Sequence, residues 1–395
     1  MKKITNPFLT GGYVSPEYFC DRENESATLV KNIINGNNVV LISPRRMGKT
    51  GPIEHCFHFP EISENYYTFF IDIYSTSSLR EFIFLLGRQI FEVLKPKGRT
   101  FIDNFFQVIS SLRPAFKLDS TTGEPVFDIG LGEIKELNFS LEEIFKYLEQ
   151  ADKPCIIAID EFQQVANYPE KNVEALLRTH IQHAKNSSFI FAGSQRHLLE
   201  NIFFSSSRPF YQSVQPLHLE AISFESYKNF VIEKFNAADK IIALEFISIV
   251  YETLEGHTWY LQNIMNEIFG LLKPNEEVNM DILKQAFSNK IMNLQPLFQT
   301  TLSLLTERQK EILIAISKEG KATAVMSGDF IQRHALHSSS SVQTSIKQLL
   351  DKEIITVENK CYFVYDRFFG LWLKIQYGIG YRLENNLNTG SVITK

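Results

Sequence analysis

The sequence has few cysteines, no long apolar run and no excess of positive charge, and each absence narrows the possible functions. Its four cysteines, Cys20, Cys56, Cys155 and Cys361, are far apart and form no C-x-x-C pair. This spacing argues against a zinc ribbon or a disulfide framework and predicts reduced thiols in a cytoplasm. No apolar stretch approaches the ~20 residues that cross a bilayer, so we expect no membrane insertion. Because the formal net charge is −5, the chain has no overall positive charge that would attract nucleic acid, and any such contact must be local.

The chain does contain a nearly complete phosphate-binding loop. An apolar, β-branched run at 38–42 leads into a segment close to the spacing G-x-x-x-x-G-K-[ST]. In such a loop backbone N–H groups surround the β-phosphate, the lysine reaches the β- and γ-phosphate oxygens, and the hydroxyl holds Mg²⁺. Ser43 stands where the first glycine is expected, and glycine is favoured there because the loop needs unusual dihedral angles. We predict that ATP or ADP binds to Ser43, Pro44, Arg45, Arg46, Met47, Gly48, Lys49, Thr50 and Gly51, with Lys49 also catalytic and Thr50 a Mg²⁺ ligand.

A second apolar run, at 155–159, ends in the adjacent carboxylates Asp160 and Glu161. In P-loop enzymes an Asp at such a strand end orients Mg²⁺ and its waters, and a neighbouring Glu can polarise the attacking water. A buried strand can also end in solvated acids, but Lys49 upstream favours the functional interpretation. We therefore predict Asp160 as a metal ligand and Glu161 as catalytic.

A third strand-like run, at 188–193, ends in Ser194, Gln195 and Arg196. Ser194 or Gln195 could position the attacking water, and Arg196 could contact the γ-phosphate, where a cation stabilises charge in the transition state. The same residues also suit ordinary capping between a strand and a helix. We predict Ser194 and Arg196 as catalytic and keep the capping interpretation open. Arg45 and Arg46 likewise have three open roles: γ-phosphate sensing, loop packing or contact with a neighbour's nucleotide.

The alternation of strands and helices predicts an α/β fold. At 395 residues the chain is long enough for two or three domains. We expect a P-loop NTPase parallel sheet with helices on both faces, followed by a helical lid and a winged-helix domain. The predicted boundaries are 1–220 for the P-loop ATPase domain, with a hairpin insertion at about 113–140, then 221–297 for the lid, 298–380 for the winged helix and 381–395 for a polar tail. Within the lid, His257 is either a plain turn residue or one that approaches the nucleotide.

The winged helix raises the question of a partner. Its third helix could enter the major groove of duplex DNA, with Gln343, Thr344 and Lys347 as exposed contacts. Segment 301–375 holds ten Lys and Arg against eight Asp and Glu, a weak excess for a domain whose affinity would come from phosphate contacts. An unknown protein partner therefore stays as an alternative to DNA, and the oligomeric state stays open.

With these parts in order, the chain resembles the STAND-type P-loop ATPases of archaea and bacteria, a branch of the AAA-like ATPases related to origin-recognition ATPases. The resemblance rests on the loop at 43–50, on Ile159-Asp160-Glu161-Phe162, and on segments 19–23, 193–196 and 365–372. It implies that Phe19, Asp21 and Arg22 lie near the adenine and that Arg196 reads the γ-phosphate. Trp259 departs from the family, since relatives commonly have Pro near that position. Arg178 and Arg208 are both candidates for an arginine finger, and the alternative for each is an ion pair with acids on the surface.

The resemblance implies a molecular switch rather than a metabolic enzyme. We expect a cytoplasmic Mg-ATP-dependent ATPase with slow turnover that regulates a protein or DNA partner. Two alternatives remain: a DNA-binding ATPase that duplex DNA stimulates, and a nucleotide-locked scaffold without turnover.

Overall fold

The computed structural model describes residues 5–94, 116–118, 125–127 and 137–378, and the chain divides into two compact units. One unit runs from Gly12 to Glu220, and the other combines the chain from Ala221 onward with the residues before Gly12. The predicted tail, 381–395, lies outside the described residues. Within the described ranges, no helix is both long and apolar enough to span a bilayer.

The Gly12–Glu220 unit is built on a five-stranded sheet with the order β2-β5-β6-β1-β7, in which every neighbouring pair is parallel. A separate antiparallel pair, β3 and β4, lies in the region where the sequence predicts a hairpin insertion. The remainder of that insertion is outside the described residues. The strands are β1 Val39–Ile42, β2 Tyr67–Asp72, β3 Phe116–Leu118, β4 Pro125–Phe127, β5 Cys155–Asp160, β6 Ser187–Gly193 and β7 Gln215–His218.

Helices cover both faces of this sheet. Because successive strand side chains point to opposite faces, β1 contributes Val40 and Ile42 to one apolar core and Val39 and Leu41 to another. The helices are α1 Glu23–Ile34, α2 Thr50–Phe57, α3 Pro60–Ser63, α4 Leu79–Val93, α5 Leu137–Glu149, α6 Val173–His183 and α7 Arg196–Phe204. The first core includes residues of α4 to α7, and the second includes residues of α1 to α3. The predicted α/β class with helices on both faces is confirmed.

The second unit begins with a helical bundle. Its helices are α8 Phe224–Asn236, α9 Leu244–Thr253, α10 Thr258–Leu271 and α11 Met280–Ser303. Phe8, which is fully buried, joins this bundle by packing against Phe230, Phe235 and Phe269. This apolar contact explains why the residues before Gly12 group with the bundle, although the sequence analysis assigned them to the ATPase domain. Helix α11 continues through the predicted boundary at 297/298.

A winged helix completes the second unit, as the sequence predicts. Helix α12 (Glu307–Glu319) begins at a capping box in which Thr306 and Gln309 bond each other's backbone N–H groups. It is followed by β8 Ala322–Thr323, α13 Gly328–Arg333, α14 Ser339–Asp351, β9 Ile355–Glu358, β10 Cys361–Val364 and α15 Arg367–Tyr377. The three strands form an antiparallel sheet with the order β8-β10-β9. The wing is the β9-β10 hairpin, whose turn residues Asn359 and Lys360 both have positive φ.

Candidate nucleotide site

The phosphate-binding loop connects β1 to α2, and its backbone explains why a serine is tolerated. Arg46 and Gly48 take left-handed conformations, with φ of 68° and 77°. Ser43 takes no such conformation, and its side chain is buried with Oγ donating to the Pro44 carbonyl at 3.0 Å. The missing glycine therefore costs little backbone strain here, because only a left-handed position would require it.

Lys49 stands at the start of α2 and is buried, with 8% of its surface exposed. Burial lowers the pKa of its ammonium group, whereas the nearby carboxylates Asp160 and Glu161 oppose that change and Arg45 adds to it. A buried cation is stable only beside counter-charges. The fold therefore brings together the lysine and the two acids that the sequence predicts as one site.

Asp160 ends β5 and is also buried. Burial raises the pKa of its carboxyl group; Lys49 lowers it, while Glu161 and Asp72 raise it further. Asp72 is the residue paired with Asp160 across strands β2 and β5. Two carboxylates thus meet at the same edge of the sheet, which is a favourable place for a divalent cation.

Glu161 is held in a defined orientation immediately after β5. Its backbone is left-handed (φ 57°, ψ 37°), a conformation that costs a non-glycine residue about 1–2 kcal/mol and is concentrated at functional sites. Its N–H donates to Oδ1 of Asp160 at 2.9 Å. Its Oε2 accepts from the Oγ of Ser194 at 2.8 Å and from the N–H of Ser194 at 3.3 Å. The carboxylate of Glu161 therefore links the end of β5 to the end of β6.

The order of the strands explains the position of Ser194. Strand β6 lies between β5 and β1, so the residue after its end stands between the acids and the phosphate-binding loop. Nε of Arg45 donates to Oγ of Ser194 at 3.2 Å. Arg196 is placed differently: its side chain is 51% exposed and its Nε donates to Oε1 of Glu200 at 2.8 Å, one turn along α7. The loop arginine, rather than Arg196, is the cation in contact with Ser194.

Phe19 lies against the start of α2, and its place near the adenine stays a prediction. Its ring stacks on His55 with 4.2 Å between ring centroids, and a Cβ added to Gly51 would stand 3.1 Å from it. Tyr13 completes this group through a hydrogen bond of 2.9 Å between its hydroxyl and Nδ1 of His55. Burial raises the pKa of Tyr13 to about 12, with Glu54 adding to the shift, so its hydroxyl stays protonated.

Asp21 and Arg22 form the left-handed turn before α1, with φ of 59° and 77°. Arg22 is buried, and its guanidinium donates to Oε1 of Glu25 at 2.8 Å and to the carbonyl of Glu220. The turn thus fixes the segment that carries Phe19, since two donors of Arg22 are engaged by the protein itself.

The residues present fit a nucleotide with Mg²⁺. Gly48 and Gly51 leave the loop without side chains at two positions, Lys49 supplies a buried cation, and Thr50 and Asp160 offer the hard oxygen ligands that Mg²⁺ prefers. The described ranges contain no cluster of three His, Cys, Asp or Glu that could hold a metal. Phosphate oxygens would therefore complete the coordination, as is usual for Mg²⁺ in such sites.

Sequence reasoning missed three contributors to this site: Asp72, Gln163 and the pair Tyr13–His55. Nε2 of Gln163 donates to Oε2 of Glu161 at 2.5 Å. Asp72 ends an apolar strand just as Asp160 does, and this signal was available. Gln163 and Tyr13 carry no comparable signal, because their positions depend on a turn and on packing between distant segments.

Four candidate residues remain, two in each unit. Arg208 pairs with Glu174 at 3.0 Å, and Arg178 has a buried Nε without a hydrogen-bond partner in the described part of the chain. His257 precedes α10, where its Nδ1 is 3.1 Å from the Glu255 carbonyl, and Trp259 packs against Phe368 of the winged helix.

Comparison with known proteins finds one family model for part of the chain and several solved structures with a similar fold. The family described as "Probable winged helix domain" matches residues 296–375. A Walker-type ATPase of Pyrococcus abyssi is similar with a TM-score of 0.63 at 18% identity, covering 93% of this chain and 99% of that chain. The ORC2 protein of Aeropyrum pernix in ADPNP-ADP complexes has a TM-score of 0.57 at 14% identity, with 97% of each chain covered. The ORC1 protein of Aeropyrum pernix in complex with DNA has a TM-score of 0.52 at 12% identity, with 92% of this chain and 95% of that chain covered. No curated protein matches the chain.

Proposed function

We propose that this protein is a Mg-ATP-dependent switch ATPase with slow turnover, of the STAND type, in which nucleotide state controls contact with a partner. The observation that carries the proposal is the buried Lys49, placed at the start of α2 beside Asp160 and Glu161. The cytoplasmic location that we propose follows from the sequence, in which the four cysteines are far apart and form no C-x-x-C pair.

Each residue of the cluster has a role in this proposal. Lys49 binds β- and γ-phosphate oxygens, and Glu161 polarises the attacking water while Ser194 holds its carboxylate. Thr50 and Asp160 would hold Mg²⁺, which when bound neutralises charge on the phosphates. Because Arg45 contacts Ser194, we propose Arg45 as a γ-phosphate contact beside Arg196, which the sequence predicts for that role. Phe19 would face the base, with Asp21 and Arg22 shaping the turn that carries it.

The lid and the winged helix suit a switch because they are joined firmly to each other. The carboxylate of Glu255, before α10, pairs with Lys321 at 3.0 Å and with Arg367 at the start of α15. The backbone N–H of Arg367 also donates to the Tyr260 hydroxyl at 3.1 Å. We propose that the lid at 221–297 and the winged helix at 298–380 respond to nucleotide as one body, while the ATPase domain supplies the site.

Duplex DNA is the second candidate for the partner, and the exposed face of α14 favours it. Gln343, Thr344 and Lys347 are all exposed on that helix, which is the element a winged helix places in the major groove. The ORC1 neighbour was solved with DNA. Of these three residues only Lys347 is a cation, so they would make few phosphate contacts and binding would depend only moderately on salt.

The test is steady-state ATP turnover with and without duplex DNA at near-physiological salt, with Lys49→Ala as the blank. We expect slow turnover above the blank that Glu161→Gln abolishes. Stimulation of about tenfold by DNA, equal to about 1.4 kcal/mol in barrier, would identify DNA as the partner. Lys347→Ala should then remove the stimulation and leave basal turnover unchanged.

Two results would contradict the proposal. If Glu161→Gln turns over ATP as fast as the wild type, the role of Glu161 is wrong. If the wild type equals the Lys49→Ala blank but retains tightly bound ADP, the protein is a nucleotide-locked scaffold and not an ATPase.

A further inference from the structure

The side chain of Gln163 is buried in the 3₁₀ helix Phe162–Asn167, which follows Glu161 directly. Its Nε2 donates to Oε2 of Glu161 at 2.5 Å, while its Oε1 is buried without a hydrogen-bond partner in the described part of the chain. The opposite orientation of the amide would set its oxygen against a carboxylate, so the contact with Glu161 fixes which atom donates. A buried acceptor without a partner destabilises the fold and calls for an explanation.

Gly193, at the end of β6, makes room for this side chain. A Cβ at position 193 would stand 2.0 Å from Oε1 of Gln163, far inside van der Waals contact. Gly193 has no left-handed backbone that would require glycine. The close approach of the Gln163 amide is therefore the reason that the structure offers for a glycine at this position.

Gln163 and Ser194 together fix one oxygen of the Glu161 carboxylate. Oε2 receives the Gln163 amide, the Ser194 hydroxyl and the Ser194 N–H, and these three donors exhaust its capacity to accept more. Oε1 is the oxygen that they leave for a water molecule. The Ser194 contacts come from one strand and the Gln163 contact from the turn after another, so the carboxylate is held from two sides.

We propose that Gln163 is a positioning residue for hydrolysis: it locks the rotamer of Glu161 so that Oε1 faces the attacking water. This inference rests on the proposed ATPase function and adds a residue to it. A misplaced base loses rate rather than affinity, because the base acts in the transition state and not in nucleotide binding. Gln163→Leu should therefore lower kcat about tenfold or more and leave KM within about twofold.

The decisive variant is Gln163→Met, compared with the wild type by kcat and KM. Methionine keeps an unbranched side chain of similar length but has no N–H group to donate to Glu161. We expect kcat to fall about tenfold or more and KM to stay within about twofold, because the contact with the base is lost and the nucleotide contacts are kept.

Gln164→Met is the matched control. Gln164 is the next residue of the same 3₁₀ helix, and its side chain bonds Asn167 and the Tyr74 carbonyl rather than Glu161. This variant makes the same chemical change, yet its kcat should equal that of the wild type. Equal kcat values for Gln163→Met and Gln164→Met would overturn the proposal. Wild-type turnover no higher than the Lys49→Ala blank would instead refute the proposed function, and the positioning role with it.

A second variant covers the case in which Gln163→Met does not fold. Gly193→Ala places its Cβ where the amide oxygen lies and should displace Gln163 from Glu161. We expect the kinetic pattern of Gln163→Leu, with kcat lowered and KM retained. The double variant Gln163→Leu/Gly193→Ala should be no slower than Gln163→Leu alone, because both substitutions remove the same contact between Gln163 and Glu161. Full wild-type kcat in Gly193→Ala would contradict the proposal.

Discussion

Replacing Glu255 by Gln should weaken the unit that contains the lid and the winged helix. The Glu255 carboxylate pairs with Lys321 through Oε1 and with Arg367 through Oε2. The Arg367 side chain is only 12% exposed and lies over the Phe363 ring, 4.5 Å from its centroid. The change to Gln therefore removes the acid that both cations share and leaves a buried guanidinium without this counter-charge.

The magnitude follows from the exposure of the pair. Removing one partner of a fully buried ion pair costs about 3–5 kcal/mol, whereas exposed pairs contribute about 0–1 kcal/mol. The Glu255 side chain is 34% exposed, so water screens part of the interaction, and we expect a loss of about 2 kcal/mol in the free energy of unfolding. For a unit of this size that loss lowers Tm by about 4–8 °C.

The loss should also depend on pH. Burial raises the pKa of Glu255, but Arg367 and Lys321 outweigh burial and hold that pKa below its ordinary value of 4.5. A carboxyl group whose pKa is lower in the folded state stabilises the fold above its unfolded pKa. That stabilisation disappears as pH falls through the folded pKa. The difference between wild type and Glu255→Gln is therefore full at pH 7 and shrinks as pH falls below 4.5.

Tryptophan fluorescence is a suitable assay, because the chain has two tryptophans, Trp259 and Trp372, and both lie in this unit. Urea unfolding followed by that signal reports the second unit specifically. Glu252→Gln is the matched control, since Glu252 is exposed near the end of α9, three residues before Glu255. The reasoning is refuted if both variants lose the same stability at pH 7, or if the loss from Glu255→Gln does not change between pH 7 and pH 4.

Three further predictions concern the Gly12–Glu220 unit. Ser43→Gly should leave the Kd for ATP within about twofold, because Ser43 needs no left-handed backbone. It should lower the free energy of unfolding by about 0.5–1 kcal/mol, because glycine raises the conformational entropy of the unfolded chain. ATP binding that is tenfold tighter would contradict this reasoning. Phe203→Ala should cost about 3–5 kcal/mol in urea unfolding, since Phe203 is fully buried. Phe204→Ala, its partly exposed neighbour, should cost less than about 1 kcal/mol, and equal losses would refute the packing argument. Phe19→Ala should weaken ATP binding about tenfold in a fluorescence titration, because the ring beside Gly51 is lost; an unchanged Kd would exclude Phe19 from the base.

The strands of the site could be predicted from the sequence because each is a short apolar run with a chemical signal at its end. The runs before Ser43, Asp160 and Ser194 correspond to β1, β5 and β6. Strand β7 was not predicted, since Gln215–His218 is polar and contains Pro216, and it pairs only along the edge of the sheet.

Contacts between side chains from distant segments were beyond sequence reasoning. The sequence predicts Arg196 as a γ-phosphate contact, and this stays a prediction; in the structure Arg196 pairs with Glu200 one turn later. Arg45 contacts Ser194 because β6 lies beside β1 in the sheet. No local sequence pattern predicts which strands are neighbours. Phe8 gives a similar case, since its burial among helices more than two hundred residues away depends on tertiary packing.

The central claim is that the loop around Lys49 binds a nucleotide through its phosphates. Isothermal titration calorimetry tests this most directly. Nucleotide-free wild type and Lys49→Ala would each be titrated with ATP and Mg²⁺. We predict saturable binding by the wild type and a Kd at least about a hundredfold weaker for the variant, equal to about 2.7 kcal/mol. Equal affinities, or no binding by the wild type, would contradict the account.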